Sequence, residues 1–101
     1  MPVSIVIYED NSTLRESLSS LLVLTGEYTV LASYPDCLNV INDIKDKQPD
    51  VILMDIDMPG INGIEAVKKI RTINTVVQII MLTVFDDNTH VFDAMYAGAN
   101  G

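Results

Sequence analysis

Three apolar runs in this chain end in side chains that can do chemistry. Val51-Ile52-Leu53-Met54 runs directly into Asp55, Val3 to Tyr8 runs into Glu9 and Asp10, and Gln78 to Leu82 ends at Thr83. An apolar run without alternation suits a strand buried on both faces of a parallel sheet. Each such strand lifts its last polar residue to the carboxyl edge of the sheet, where open doubly wound sheets bind ligands. If the first and third strands are neighbours, Asp10 and Asp55 face each other across that crevice. Two bare carboxylates ~4 Å apart repel by about 4 kcal/mol at an effective dielectric near 20. Either one acid keeps its proton or a cation sits among them. Hard oxygen ligands with open positions suit Mg²⁺. A carboxylate beside Mg²⁺ is a competent nucleophile toward phosphorus and gives an aspartyl phosphate. The Thr83 hydroxyl can donate to a phosphate oxygen. The constellation reads as a metal-assisted phosphoryl acceptor. Taken alone, Asp55 reads equally well as a capping or turn aspartate.

The elements that must position these residues follow from the same sequence. Asn11-Ser12-Thr13 supply N-cap candidates after the first strand, and Thr13 with Glu16 has capping-box spacing. Leu14, Leu18, Leu21 and Leu22 then make one helical stripe, which Gly26 stops. Tyr28 to Tyr34 is rich in strand formers. Pro35 suits a helix first turn, with Leu38, Ile41 and Ile44 following at helical spacing. Pro59-Gly60 turns the chain away from Asp55, and Asn62 is an N-cap for a helix marked by Ile64, Val67, Ile70 and Ile73. Asp86 and Asp87 suit the start of a fourth helix, whose stripe is Val91, Phe92, Met95 and Tyr96 and whose stop is Gly98. The order β-α-β-α-β-α-β-α implies an α/β fold, a parallel sheet with helices on both faces and right-handed crossovers.

Composition narrows the function. The 101 residues suffice for one domain. Fourteen acids against six bases give a net charge of −8, which argues against nucleic acid contact by this segment. Cys37 is the lone cysteine, so no disulfide framework exists, and it reads as a small hydrophobe. No apolar run approaches ~18 residues, so a cytoplasmic protein with no membrane contact is expected. His90 reads as an exposed helix residue, and Met54 and Met58 as packing.

Glu9-Asp10-Asn11, Asp55-Ile56-Asp57-Met58-Pro59-Gly60, Leu82-Thr83 and Ala94-Met95-Tyr96-Ala97-Gly98-Ala99-Asn100-Gly101 occur in an order and spacing that resemble the receiver domain of two-component response regulators. The last motif is most similar to receivers of LuxR/NarL-type transcriptional regulators. The resemblance covers the whole chain. It implies a flavodoxin-like doubly wound sheet, strand order 2-1-3-4 with a fifth strand missing. It implies that Asp55 accepts a phosphoryl group from a histidine kinase. Glu9, Asp10, Asp55 and the backbone carbonyl of Asp57 would hold Mg²⁺, and Thr83 would be the switch hydroxyl. The readout would be a conformational change at the fourth strand and fourth helix that controls an output such as transcription.

Against the family pattern, Glu9 stands where aspartate is commoner and Val84 where a smaller residue is usual. The family's fifth strand, fifth helix, phosphate-pairing lysine and switch aromatic would all lie past Gly101, so residues 1–101 are read as a receiver domain truncated before them. Such a chain alone is expected to pair as a homodimer through its fourth strand or neighbouring helices, to swap elements or to aggregate. Two other functions compete: a haloacid-dehalogenase-like phosphatase, and a degenerate receiver that acts only in dimerisation. Sustained phosphate release would favour the first, and absence of any Mg²⁺-dependent effect the second.

Overall fold

The computed structural model describes residues 2–82 and 97–101. Four strands, β1 (Val3–Tyr8), β2 (Tyr28–Tyr34), β3 (Val51–Asp55) and β4 (Gln78–Leu82), form one sheet in the order β2-β1-β3-β4. All three neighbouring pairs are parallel. The connecting helices are α1 (Ser12–Leu24), α2 (Val40–Lys47) and α3 (Gly63–Arg71). The fourth helix expected from Val91 to Tyr96 lies outside the described residues. So does Thr83.

Right-handed crossovers from β1 out to β2, and then back through β3 to β4, put α1 on one face and α2 and α3 on the other. The core lies on the second face. Val6, Tyr8, Ile52, Met54 and Ile79 of the sheet meet Val40 and Ile44 of α2 and Ala66, Val67 and Ile70 of α3. The Tyr8 hydroxyl donates to Asp43 Oδ2 at 3.0 Å, and the Tyr8 and Tyr34 rings stack with centroids 5.3 Å apart. Burial and the Asp43 charge push the Tyr8 phenol well above its ordinary range, so it stays a neutral donor.

Two expectations are corrected. α2 begins at Val40, so Pro35 and Leu38 lie before it and Leu38 is exposed. Asp36 accepts the Leu38 amide, a local turn that competes with helix, and Cys37 is pulled into the core instead. α3 ends at Arg71, and Ile73 lies beyond it. The stripe of Leu14, Leu18, Leu21 and Leu22 falls within α1 as expected, yet no α1 residue is buried, and Leu21 is 63% and Leu24 82% exposed. α1 packs mainly on β2 rather than over the sheet centre.

The chain returns to β4 through Gly98 to Gly101. Gly101 accepts the Met81 amide at 2.7 Å and donates to Ile79, parallel pairing on the outer edge of β4. The Arg71 guanidinium fixes this return by donating to the carbonyls of Gly98, Val77 and Asn74 and to Asn100 Oδ1. Gly98 has φ +120, and a Cβ there would strike the Arg71 stem. This position needs glycine on both counts.

Asn62 is the cap foreseen for α3. Its side chain accepts the Glu65 amide at 2.9 Å. Asn62→Ala is expected to cost about 1 kcal/mol, read as a lower denaturation midpoint with unchanged slope.

Candidate phosphoacceptor and metal site

The acidic site is built by register. Tyr8 pairs with Met54 at the end of the β1–β3 ladder, so Glu9 and Asp55 come next, side by side, as the two strands give out. Each strand reaches this point because its apolar residues are satisfied beneath it. Asp10 follows Glu9 in the turn to α1. Glu9, Asp10 and Asp55 each bring one carboxylate oxygen within 4.8 Å of the others. The sequence reading and the structure therefore agree on which three acids converge.

The three carboxyls do not share one environment. Glu9 is 5% exposed, Asp55 half-buried and Asp10 exposed. Among the described residues, Glu9 Oε2 is the buried side-chain oxygen that finds no hydrogen-bond partner. A buried acceptor left unmatched is costly, and Glu9, whose carboxylate also offers an oxygen to the acid cluster, fits a neighbouring cation better than it fits burial alone. Asp55 has its pKa pushed up to about 8, chiefly by burial and then by the neighbouring Glu9 and Asp10, while the Asp57 amide donating to Asp55 Oδ1 at 3.3 Å works the other way. Without a cation, Asp55 therefore holds a proton near neutral pH. A trio of hard oxygens, one orphaned and one protonated for want of positive charge, fits a small divalent ion such as Mg²⁺.

The loop after β3 is closed tightly. The Gly63 amide donates to the Ile56 carbonyl at 2.9 Å, bringing the start of α3 back against the strand end. A Cβ on Gly63 would collide with the Asp55 carbonyl oxygen. Gly60 has φ +80, the left-handed turn that Pro59-Gly60 announced. Asp57 is exposed at the rim of this loop.

Sequence reasoning passed over two contributors. Gly63 carries no signal of its own in a single sequence. Arg15 does carry one. It is a cation early in α1, where the positive end of the helix dipole disfavours it. In the structure its guanidinium donates to the main-chain carbonyl of Glu9 at 2.7 Å. The expected site residue Thr83 lies outside the described residues.

Residues 5–101 match the family described as response regulator receiver domain. The chain is 37% identical over 99 residues to the transcriptional regulatory protein LnrK of Bacillus subtilis (strain 168), covering 98% of this chain and 45% of that protein. It is 34% identical over 99 residues to the transcriptional regulatory protein DegU of Brevibacillus brevis, covering 98% of this chain and 42% of that one. The chain thus spans about half the length of these curated relatives. Among solved structures, the signal receiver domain of the response regulator NarL from Mycobacterium tuberculosis superposes with TM-score 0.90 at 28% identity, covering 97% of this chain and 79% of that one. A LuxR-family DNA-binding response regulator from Staphylococcus aureus gives 0.88 at 29% identity, covering 96% and 81%. Among the described residues, no helix is long and apolar enough to cross a membrane. With four parallel strands in the order 2-1-3-4 and the acid cluster at their carboxyl edge, this chain belongs to the response regulator receiver domain family, in the company of the LuxR/NarL-type regulators.

Proposed function

We propose that this chain is a phosphorylation-dependent switch in which Asp55 accepts a phosphoryl group from a histidine kinase. The observation that carries the reading is the convergence of Glu9, Asp10 and Asp55 at the sheet edge, with Asp55 at the strand terminus. An Asp55 carboxylate oxygen attacks phosphorus as the phosphohistidine P–N bond breaks, and the imidazole leaves with the electron pair. Attack needs Asp55 deprotonated, and Asp55 is the acid whose proton the metal-free site retains. Glu9, Asp10 and Asp55 would hold Mg²⁺, with the Asp57 backbone carbonyl as a further ligand. Bound there, Mg²⁺ supplies positive charge that offsets the acids and the phosphoryl oxygens.

The Glu9 backbone keeps its carboxyl aimed inward, and the closed loop from Ile56 to Gly63 holds Asp55 against drift. Asp55 reacts once per phosphorylation and turns over no free substrate, so the chain is a phosphoacceptor that catalyses its own transfer and a slow release. The acids remain in place and are mutually close, which favours this reading over a receiver used only for dimerisation. Thr83 is proposed as the switch hydroxyl, and the fourth strand and fourth helix as the readout face. The transcriptional output suggested by the relatives' names, homodimer formation and a cytoplasmic location belong to the same proposal. It also takes residues 1–101 as a receiver domain.

The test is chemical. The chain is incubated with acetyl phosphate and MgCl₂, the acyl phosphate is reduced with borohydride, and the product is mapped by mass spectrometry. One equivalent on Asp55, absent when EDTA replaces MgCl₂, is expected. A label on another aspartate, or continuous phosphate release from a phosphomonoester, overturns the reading.

A further inference from the structure

We propose that Arg15 is the positioning residue for the acidic turn, holding Glu9 and Asp10 where a divalent cation can use both. The proposal rests on the reading of the site as a cation-dependent phosphoryl acceptor. Arg15 is half-buried, and it sits close to a cluster of three acids. The expected use of such a guanidinium is an ion pair. Among the described residues, however, the one ion pair is Lys47 with Asp46. The Arg15 Nη1 instead donates to the Glu9 main-chain carbonyl at 2.7 Å, the short end of the range for a charge-assisted bond.

Glu9 is the residue that follows the last one of β1, Tyr8. The Glu9 amide still follows the ladder and donates to the Tyr34 carbonyl at 3.0 Å. Past that point the chain leaves β2, and the Glu9 carbonyl needs a partner from elsewhere. Arg15 provides it from the fourth residue of α1. The start of α1 is itself fixed, because Asn11 Oδ1 accepts the Leu14 amide and the Asn11 carbonyl accepts the Arg15 amide at 2.9 Å. Both ties are made by Glu9, its amide to Tyr34 and its carbonyl to Arg15, and Asp10 is the single residue between this doubly held Glu9 and the Asn11 cap that fixes the start of α1. Carboxylates must be placed to within about 0.5 Å to share an ion. A guanidinium bonded to a carbonyl leaves both carboxylates free as ligands, which an ion pair would not. This accounts for a cation kept against the helix dipole.

The test uses the 101-residue chain, labelled with nitrogen-15, and MgCl₂ as the sole titrant. Arg15→Gln removes the charge and shortens the reach; Arg15→Lys keeps the charge without the planar fork. Arg15→Gln is expected to weaken Mg²⁺ binding at least fivefold and to speed exchange of the Glu9 amide about tenfold. Core amides at Ile52 and Ile79 should exchange as in the parent, which a general loss of stability would not allow. Arg15→Lys should remain weaker than the parent. Parental Mg²⁺ affinity in Arg15→Lys would mean that charge alone suffices, and would overturn the proposal. Unchanged Glu9 exchange in Arg15→Gln would overturn it as well. A parent chain that shows no response to Mg²⁺ would instead overturn the phosphoryl-acceptor reading, and Glu9 exchange would then decide on Arg15 by itself.

Discussion

In EDTA at pH 8.5, Asp55→Asn is expected to melt above the parent, and in MgCl₂ with acetyl phosphate it is expected to take up no phosphoryl group at all. The second result follows from removing the proposed nucleophile. The first follows from linkage. The Asp55 pKa is about 8 in the fold against an ordinary 3.8, so the folded chain holds this proton more tightly than the unfolded chain does. A raised pKa contributes stability that is complete below the ordinary value and is lost as pH climbs through the folded one. The window therefore runs from pH 3.8 up to about 8, and above it the parent carries a carboxylate that its neighbours resist. Asp55 is half-buried, so solvent screening cuts the nominal cost to roughly 1–2 kcal/mol. For a chain of this size that is on the order of 5–10 °C. Asparagine is neutral throughout, so its melting temperature should fall less between pH 5 and 8.5. MgCl₂ should restore the parent and leave the variant unmoved. Melts at the two pH values with and without MgCl₂ check this, and parallel profiles for both proteins would contradict it.

Gly63→Ala is expected to destabilise by about 3 kcal/mol, near the top of the range for overpacking, although alanine is the better helix former. The intrinsic preference favours alanine by about 1 kcal/mol in a helix interior, and less at the first turn. Contact decides the sign. The added methyl would occupy the space of the Asp55 carbonyl oxygen, which is backbone in a strand end and cannot rotate away. The start of α3 must back off, and the Gly63–Ile56 hydrogen bond that closes the loop must lengthen. Urea denaturation measures the loss. Because the displaced atom belongs to Asp55, Mg²⁺ affinity should fall as well, by about tenfold. A Gly60 substitution makes the useful contrast. Its obstacle is a positive φ and the Leu38 side chain, so it should cost stability with little effect on Mg²⁺.

The strands were legible because their apolar runs are dense and end abruptly: all four occupy the expected residues, and Asp55 closes β3 as read. The acid site was legible because parallel register carries strand ends to one edge, so identifying the ends identified the neighbours. Helix starts were less so. Several cap candidates stood in a row before α1, and the extended backbone of Asn11 together with its side chain accepting the Leu14 amide selects it over Thr13. Pro35 suggested an early α2, but Asp36 forms a turn of its own and Cys37 is needed in the core. The stripe of α1 located the helix but not its burial. Periodicity tells that a helix has an apolar side, not how much of the sheet that side covers. Arg15 and Arg71 went unread because both act on main-chain carbonyls, and which carbonyls lack partners is a property of the ladder rather than of the sequence.

The β1–β3 register also bears on how quickly the molecule can form. β1 is made first but sits between β2 and β3, and its contact with β3 joins residues more than forty positions apart. Such pairings are reached late, after the intervening chain has lost most of its freedom. Pairing β1 with β3 also brings Glu9 and Asp10 up to Asp55, which is a carboxylate in the unfolded chain at neutral pH and must take up a proton or share a cation as the strands close. Folding is therefore expected to quicken with salt and with a divalent ion. The acids that gather at the edge of the finished sheet are thereby expected to act as a brake on its assembly, with the ionic content of the medium setting how hard the brake is applied.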